Sequence, residues 1–167
     1  VCGGDAQEDE CGVCNGDGTS CLEVQIDFGA VDAGTIEITI DTPFDVSGFQ
    51  FDIIGTDLDG GSGGMAADFG FSVATNNSTL IGFNVNGDVI PAGSQGVLTI
   101  VEYTAEADQA CFELGDGAIS DIAAQPLPVS FGPCVEIDYE CDDLDADGIC
   151  DDVDDCVGEY DECDEIG

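Results

Sequence analysis

The 167-residue chain contains no Lys, Arg or His, although 38 of its residues are Asp or Glu. Without a positive side chain no salt bridge can form, and two carboxylates about 4 Å apart repel by roughly 4 kcal/mol at an effective dielectric of about 20. We therefore expect cations from solution to neutralise the acids in the folded state. Nucleic acids and anionic membrane surfaces are excluded as partners, because both are recognised through Lys and Arg.

The same absences argue against catalysis. General acid–base and nucleophilic catalysis usually needs His or Lys, and phosphoryl transfer needs a cationic clamp. A two-carboxylate mechanism, as in glycoside hydrolysis, remains chemically available. It would also need aromatic platforms for a sugar, yet Trp is absent and Tyr occurs three times. The sequence therefore predicts a protein that is not an enzyme.

Hydrophobic residues are nevertheless plentiful, at 43% with nine Phe, which argues against a disordered chain. Acidic residues concentrate at the two ends, whereas the middle alternates between apolar and polar residues. This distribution predicts three parts: a Cys/Gly/Asp-rich linker over 1–21, a β-sandwich over 22–133 and a calcium-binding segment over 134–167.

The ten cysteines fall into three even groups, each of which can close on itself. In a chain of this composition they predict disulfides formed in an oxidising compartment, hence a secreted or cell-surface protein. Their pairing cannot be read from sequence. No run is long enough to span a membrane and no signal peptide is present; because the chain opens at Val1 without Met, we expect an excised piece of a longer protein. The groups are Cys2, Cys11, Cys14 and Cys21; Cys111 and Cys134; and Cys141, Cys150, Cys156 and Cys163.

The middle part shows strand periodicity. Apolar residues alternate with polar ones from Val24 to Phe28, Ile36 to Ile40 and Phe49 to Ile53, and further short runs follow. Eight or nine such runs separated by turn residues predict an all-β antiparallel sandwich. Residues 57–64, rich in Gly and Asp, are predicted to form a flexible loop, with a pocket as the alternative. Sequons at Asn76 and Asn77 permit glycosylation.

Residues 33–38, 46–53 and 90–100 are similar to strands of the cohesin family, and the resemblance covers about residues 22–132. It implies a nine-stranded jelly roll. Cohesins of cellulosomes bind dockerins, but these residues do not identify a dockerin-binding face. We interpret the Phe and Ile stripes as core instead. A bridge between Cys111 and Cys134, in the last two strand regions, would stabilise the fold by about 3 kcal/mol.

Residues 143–154 fit the pattern D-x-D-x-D-G-x-x-D-x-x-D. Alternate acids can surround one ion, Gly148 permits the sharp turn, and Ile149 can offer its carbonyl oxygen. Oxygen-only ligands suit a hard cation and the lack of His disfavours transition metals, so Ca²⁺ is predicted. The alternative is a solvated acidic tail. The predicted ligands are Asp143, Asp145, Asp147, Ile149, Asp151 and Asp154.

Cysteines interrupt this loop and no amphipathic helix flanks it, unlike in an EF-hand or a dockerin. Residues 141–163 resemble the thrombospondin type 3 repeat, in which aspartates wrap calcium ions and disulfides replace a hydrophobic core. The resemblance implies calcium at the aspartates just named. Asp142, Asp152 and Asp155 can serve a neighbouring ion, so the number of ions stays open.

Residues 9–21 look like the DECGVCxGDGxSC segment of many large extracellular proteins. Their Cys-x-x-Cys could bind zinc or act as a redox pair. Disulfides are favoured, because a reactive thiolate needs a nearby cation and the charged neighbours here are all acidic.

Residues 160–167 followed by 1–5 echo residues 9–17. We interpret the chain as one period of a tandem array; coincidence within an acidic linker is the alternative. The predicted function is a calcium-stabilised structural repeat of an extracellular array or filament, whose partners are its head-to-tail neighbours. The second hypothesis is an adhesion module of a large surface protein that binds proteins or glycans.

Overall fold

The structure, a computed structural model, describes residues 6–9, 11–16, 18 and 21–140. It confirms the predicted all-β sandwich, with ten strands in two five-stranded sheets and one short helix among the described residues. In chain order the elements are β1 (Val24–Asp32), β2 (Thr35–Thr42), β3 (Gly48–Ile54), β4 (Thr56–Ser62), α1 (Gly64–Asp68), β5 (Ser72–Asn76), β6 (Thr79–Phe83), β7 (Ser94–Ala105), β8 (Gln109–Ser120), β9 (Val129–Phe131) and β10 (Val135–Glu136).

The first sheet has the strand order β4-β7-β2-β1-β9, and the second has the order β10-β8-β3-β6-β5. Neighbouring strands are antiparallel, except that β9 runs parallel to β1. The single residue Gly55 links β3 of the second sheet to β4 of the first, so these two strands meet at one end of the sandwich.

The core lies between the sheets and follows the alternation seen in the sequence. One cluster of buried side chains contains Ile36, Ile38 and Ile40 of β2 together with the inward residues of β3, and all are at most 1% exposed. Removing one such side chain from water contributes roughly 1.5–3 kcal/mol. The stripes predicted as core are therefore core, although Phe83 at the end of β6 is 45% exposed.

Strand β4 corrects the expectation of a flexible loop over 57–64. It pairs with β7, and its Leu58 is only 5% exposed. The sequence did not reveal this strand, because Gly60 and Gly61 have no side chains and so break the alternation of apolar and polar residues. Gly61 is needed here: a Cβ at this position would lie 2.5 Å from Cγ1 of Val73. Strand β10, with two residues, is too short to show a period, so the sequence predicted fewer strands than form.

The step from β3 to β4 carries the chain from the second sheet into the first. Gly55 makes this step with φ of 89°, a conformation that favours glycine. A Cβ at this position would lie 2.1 Å from the carbonyl oxygen of Gln109. The carbonyl of Gly55 also accepts a hydrogen bond from Glu106 N at 2.9 Å. Gly55 thus lets β4 start directly after β3.

The chain divides into two compact units, residues 1–137 and 138–167. The first contains both sheets, including β10 and the buried Ile137 after it. In the part of the chain that the structure describes, no helix has the length and apolar character needed to cross a membrane.

Candidate functional site

The predicted calcium loop lies outside the described residues. Among the residues that are described, no group of three or more acidic or Cys side chains is placed to hold a metal ion. Calcium binding therefore stays a prediction. The predicted residues outside the described range are Asp143, Asp145, Asp147, Ile149, Asp151 and Asp154, together with Cys2, Cys141, Cys150, Cys156 and Cys163.

The N-terminal segment is organised by disulfides and by one carboxylate. Cys11 is bonded to Cys21, and Cys14 is disulfide-bonded as well. Oδ1 of Asp9 accepts hydrogen bonds from the backbone N–H groups of Cys11 at 3.0 Å and Val13 at 2.8 Å. The sequence analysis did not single out Asp9, although an Asp that precedes a Gly/Cys turn commonly bonds backbone groups a few residues on. Its role here is to shape the loop.

A third disulfide joins the start of β8 to the segment before β10. Cys111 and Cys134 are bonded, with their Cα atoms 4.3 Å apart. The next residue, Phe112, stacks on Phe28 of the opposite sheet with ring centroids 3.8 Å apart, and on Phe131 at 5.3 Å. The prediction of disulfide bonds is thus confirmed for this pair, which lies next to an aromatic contact between the sheets.

The chain enters and leaves the sandwich at opposite ends. It enters at Val24, beside Val129 and close to the β2–β7 pair formed by Thr42 and Ser94; we call this the entry end. It leaves at Glu136, which pairs with Gln109 at the start of β8. Because β8 then runs back to the entry end, Glu136 marks the other one, which we call the exit end.

The outer surface of the second sheet carries an uncharged area. Two successive rows of side chains, defined by strand register and by alternation with buried residues, contain no acid. We call this area the neutral face. Its members are Ser72, Phe83, Gly48 and Ser120 in one row, and Ala74, Ile81, Gln50 and Ala118 in the next.

The outer surface of the first sheet is different. Its rows carry acids, which include Asp27, Glu37, Asp41 and Glu102. One carboxylate accepts a hydrogen bond from the side chain of Gln95, at 2.9 Å from Asp41 Oδ2. The neutral face thus differs in charge from the outer surface of the first sheet, although the next row of the second sheet carries Asp52 and Glu113.

A groove opens near the entry end, with a volume of about 620 Å³. Its lining residues are apolar at Phe69, Val89 and Ile122 and acidic at Asp68 and Asp88, both of which are exposed. Ile122 is 74% exposed. The groove therefore combines apolar surface with negative charge.

Two side chains fix the loops around this groove. Asn84 donates from Nδ2 to the carbonyl oxygen of Phe69 at 2.7 Å, and its Oδ1 accepts from Asp88 N at 3.3 Å. Oδ1 of Asp121 accepts from the N–H groups of Ala123 at 2.8 Å and Gln125 at 2.9 Å. Both loops are thus held by hydrogen bonds within the protein.

Both predicted glycosylation residues lie at the β5–β6 turn. Asn76 ends β5, and Asn77 occupies the turn with φ of 51°. Both are exposed. The carbonyl of Asn77 accepts a hydrogen bond from Leu58 N at 2.8 Å. Glycosylation stays a prediction.

No family model matches the chain, and no curated protein matches it. The fold is similar to that of CaCohA2 in a crystal structure of its complex with CaDoc0917, at 13% identity and a TM-score of 0.49, over 65% of this chain and 94% of that one. It is also similar to the solution structure of CaCohA2 from Clostridium acetobutylicum, at 14% identity and a TM-score of 0.47, over 68% and 88% of the two chains. A non-cellulosomal cohesin from the archaeon Archaeoglobus fulgidus shows 12% identity and a TM-score of 0.47, over 65% and 86%.

Proposed function

We propose that this chain is a non-enzymatic structural repeat of an extracellular array, in which sandwiches follow one another in series and calcium braces the connectors. The observation that supports this best is the path of the chain, which enters at Val24 and leaves at Glu136, at the opposite end. A module with its two connections at opposite ends extends an array by its full length. Strand β7 alone has 12 residues, which corresponds to about 40 Å.

The exit is reinforced where the chain leaves. Strand β10 contributes only Val135 and Glu136, so its pairing alone would hold the exit weakly. Cys134 directly precedes it and is covalently bonded to Cys111 of β8. A force on the chain after Glu136 can therefore detach β10, but the Cys111–Cys134 bond prevents further unfolding from this end. This arrangement suits a repeat that transmits tension, and its disulfides suit an oxidising, extracellular location.

Calcium enters this proposal through charge. With 38 acids and no cationic side chain, connectors rich in Asp repel one another unless cations neutralise them. Residues 143–154 offer oxygen ligands at calcium spacing. We propose that Asp143, Asp145, Asp147, Asp151, Asp154 and the carbonyl of Ile149 hold Ca²⁺.

The test is small-angle X-ray scattering on a protein that contains two successive copies of the chain. With calcium we expect an extended particle of fixed maximum dimension, and after chelation a broader distribution of dimensions, because an unbraced connector samples many conformations. The matched control carries Asp145→Asn and Asp147→Asn, and should resemble the chelated protein at any calcium concentration. Identical scattering with and without calcium would refute the bracing.

The second candidate function is a protein-binding or adhesion module, favoured by the neutral face. The neutral face contains Ile81 and the exposed Phe83 and no acid. A protein that binds there removes no carboxylate from water, so the cost of desolvation is lower than at the acidic surfaces. A photoreactive residue at Ala74, on this face, should cross-link one defined partner in the native extracellular material. The same residue at Thr39, on the outer surface of the first sheet, serves as the control. Equal labelling from both positions would argue against this function.

A further inference from the structure

The groove near the entry end has features of a binding site that the array function does not use. Its lining is apolar at Phe69, Val89 and Ile122, and acidic at Asp68 and Asp88. Small-ligand and side-chain sites typically combine an apolar wall with a few polar groups that fix orientation. The volume of about 620 Å³ is sufficient for a long side chain and one neighbouring residue.

The groove is pre-organised. Asn84 ties the Asp88 loop to Phe69 through bonds of 3.3 Å and 2.7 Å. On the opposite side, Asp121 holds the turn that carries Ile122 through two backbone N–H groups, at 2.8 Å and 2.9 Å. Loops that are already ordered lose little conformational entropy when a ligand binds. The exposure of Ile122 is therefore a property of a fixed turn.

The negative charge of the groove favours a cationic ligand. Asp68 is the last residue of α1, which has no basic residue in its last turn, and Asp88 lies on the facing loop. Both carboxylates attract a cation, and none of the 167 residues is Lys, Arg or His. An identical copy of this chain therefore has no basic side chain to place in the groove, and a Lys or Arg side chain bound there belongs to a different protein.

We propose that the groove binds a Lys or Arg side chain of a different protein, with an apolar residue of that partner packed on Ile122. The aliphatic stem of Lys or Arg packs on apolar surface while its charged head stays near polar groups. In the groove, the stem lies along Phe69 and Val89 and the head lies between Asp68 and Asp88. The partner is thus a basic segment with apolar neighbours, and this site is separate from the connectors that build the array.

The experiment uses the full chain, labelled with ¹⁵N in a calcium-containing buffer, and a capped peptide in which one Arg is flanked by Leu residues. The comparison peptide carries citrulline in place of Arg, which keeps the shape and removes the charge. We expect the Arg peptide to shift the amide resonances of residues 68–70, 87–89 and 122. The double variant Asp68→Asn/Asp88→Asn should weaken its binding about tenfold.

Two controls separate this site from general attraction to a polyanion. Asp27→Asn/Glu102→Gln removes the same charge from the outer surface of the first sheet, and should change the affinity less than about twofold. Ile122→Ser should weaken the Leu-flanked peptide but not a single capped Arg. Because Ile122 is 74% exposed, this variant should keep a dispersed spectrum and remain folded.

The proposal is overturned if both double variants weaken binding equally, because general charge attraction then explains it. It is also overturned if the citrulline peptide binds as tightly as the Arg peptide, or if the shifted resonances lie outside the groove. Failure of calcium to brace the connectors would leave these outcomes unchanged, because none of the groove residues belongs to 143–154.

Discussion

Asn84 Nδ2 lies 2.7 Å from the carbonyl oxygen of Phe69 and donates a hydrogen bond to it. This contact joins the loop after β6 to the end of α1. The same side chain accepts from Asn86 N at 2.7 Å. One amide thus fixes two segments that are far apart in sequence, and these segments form two walls of the groove.

We predict that Asn84→Asp lowers the free energy of unfolding by about 1–3 kcal/mol. The substitution keeps the acceptor at Oδ1 but replaces the donor with a second oxygen that faces the Phe69 carbonyl. Urea denaturation measures the change. Asn86→Asp adds the same charge two residues away at an exposed position and should change stability by less than about 0.5 kcal/mol. Equal losses in both variants would show that charge, and not this hydrogen bond, is responsible.

The disulfide between Cys111 and Cys134 should stabilise the sandwich directly. It closes a sequence separation of 23 residues, and replacing both cysteines with Ala should cost about 3 kcal/mol. The corresponding double substitution at Cys11 and Cys21, whose bond lies in the N-terminal segment, should leave the main unfolding transition unchanged. Scanning calorimetry of the unsubstituted protein and of the two double variants measures the unfolding transition of each. If both double substitutions lowered the main transition equally, the Cys111–Cys134 bond would have no special role in stabilising the sandwich.

Gly82 should tolerate no side chain. A Cβ at this position would lie 2.0 Å from Cζ of Phe49 in the core, so Gly82→Ala is expected to cost about 1–3 kcal/mol through overpacking. Gly60→Ala is the matched control, because its Cβ would meet nothing closer than Glu102 Oε2 at 3.8 Å. Chemical denaturation of both variants is the measurement. A neutral Gly82→Ala would mean that the Phe49 ring can move away freely.

The net charge of −38 should make folding dependent on ionic strength. Like charges are closer together in the folded chain than in the unfolded one, so screening should stabilise the folded state. We expect the thermal midpoint to rise as sodium chloride is added at a fixed calcium concentration. A midpoint that falls or does not change over that range would contradict the view that repulsion among acids limits stability.

The sequence predicted strands correctly where apolar and polar residues alternate regularly. Ile36 to Ile40 and Phe49 to Ile53 predicted β2 and β3, whose alternate residues are buried. Strand β4 was not predicted, because Gly60 and Gly61 interrupt the alternation. The reason for Gly61 is its close approach to the side chain of Val73, which is visible only in the folded structure.

The candidate sites were less predictable. The neutral face depends on register: Ile81 could be recognised as an outward residue beside Gln50 only once the β3–β6 pairing was known. The groove depends on three loops that meet in space through Asn84 and Asp121. Asn84 lies two residues before Asn86-Gly87, a pair typical of turns, but its bond to Phe69 has no local pattern in the sequence.

The central claim is that calcium bound at residues 143–154 braces the connector between successive sandwiches, and calcium titration calorimetry on the full chain tests it most directly. The account predicts a saturable binding heat that disappears in the Asp145→Asn/Asp147→Asn variant and persists in Asp27→Asn/Glu102→Gln, which loses the same charge from the outer surface of the first sheet. A titration without saturable heat, or one that the Asp145 and Asp147 substitutions leave unchanged, would contradict it.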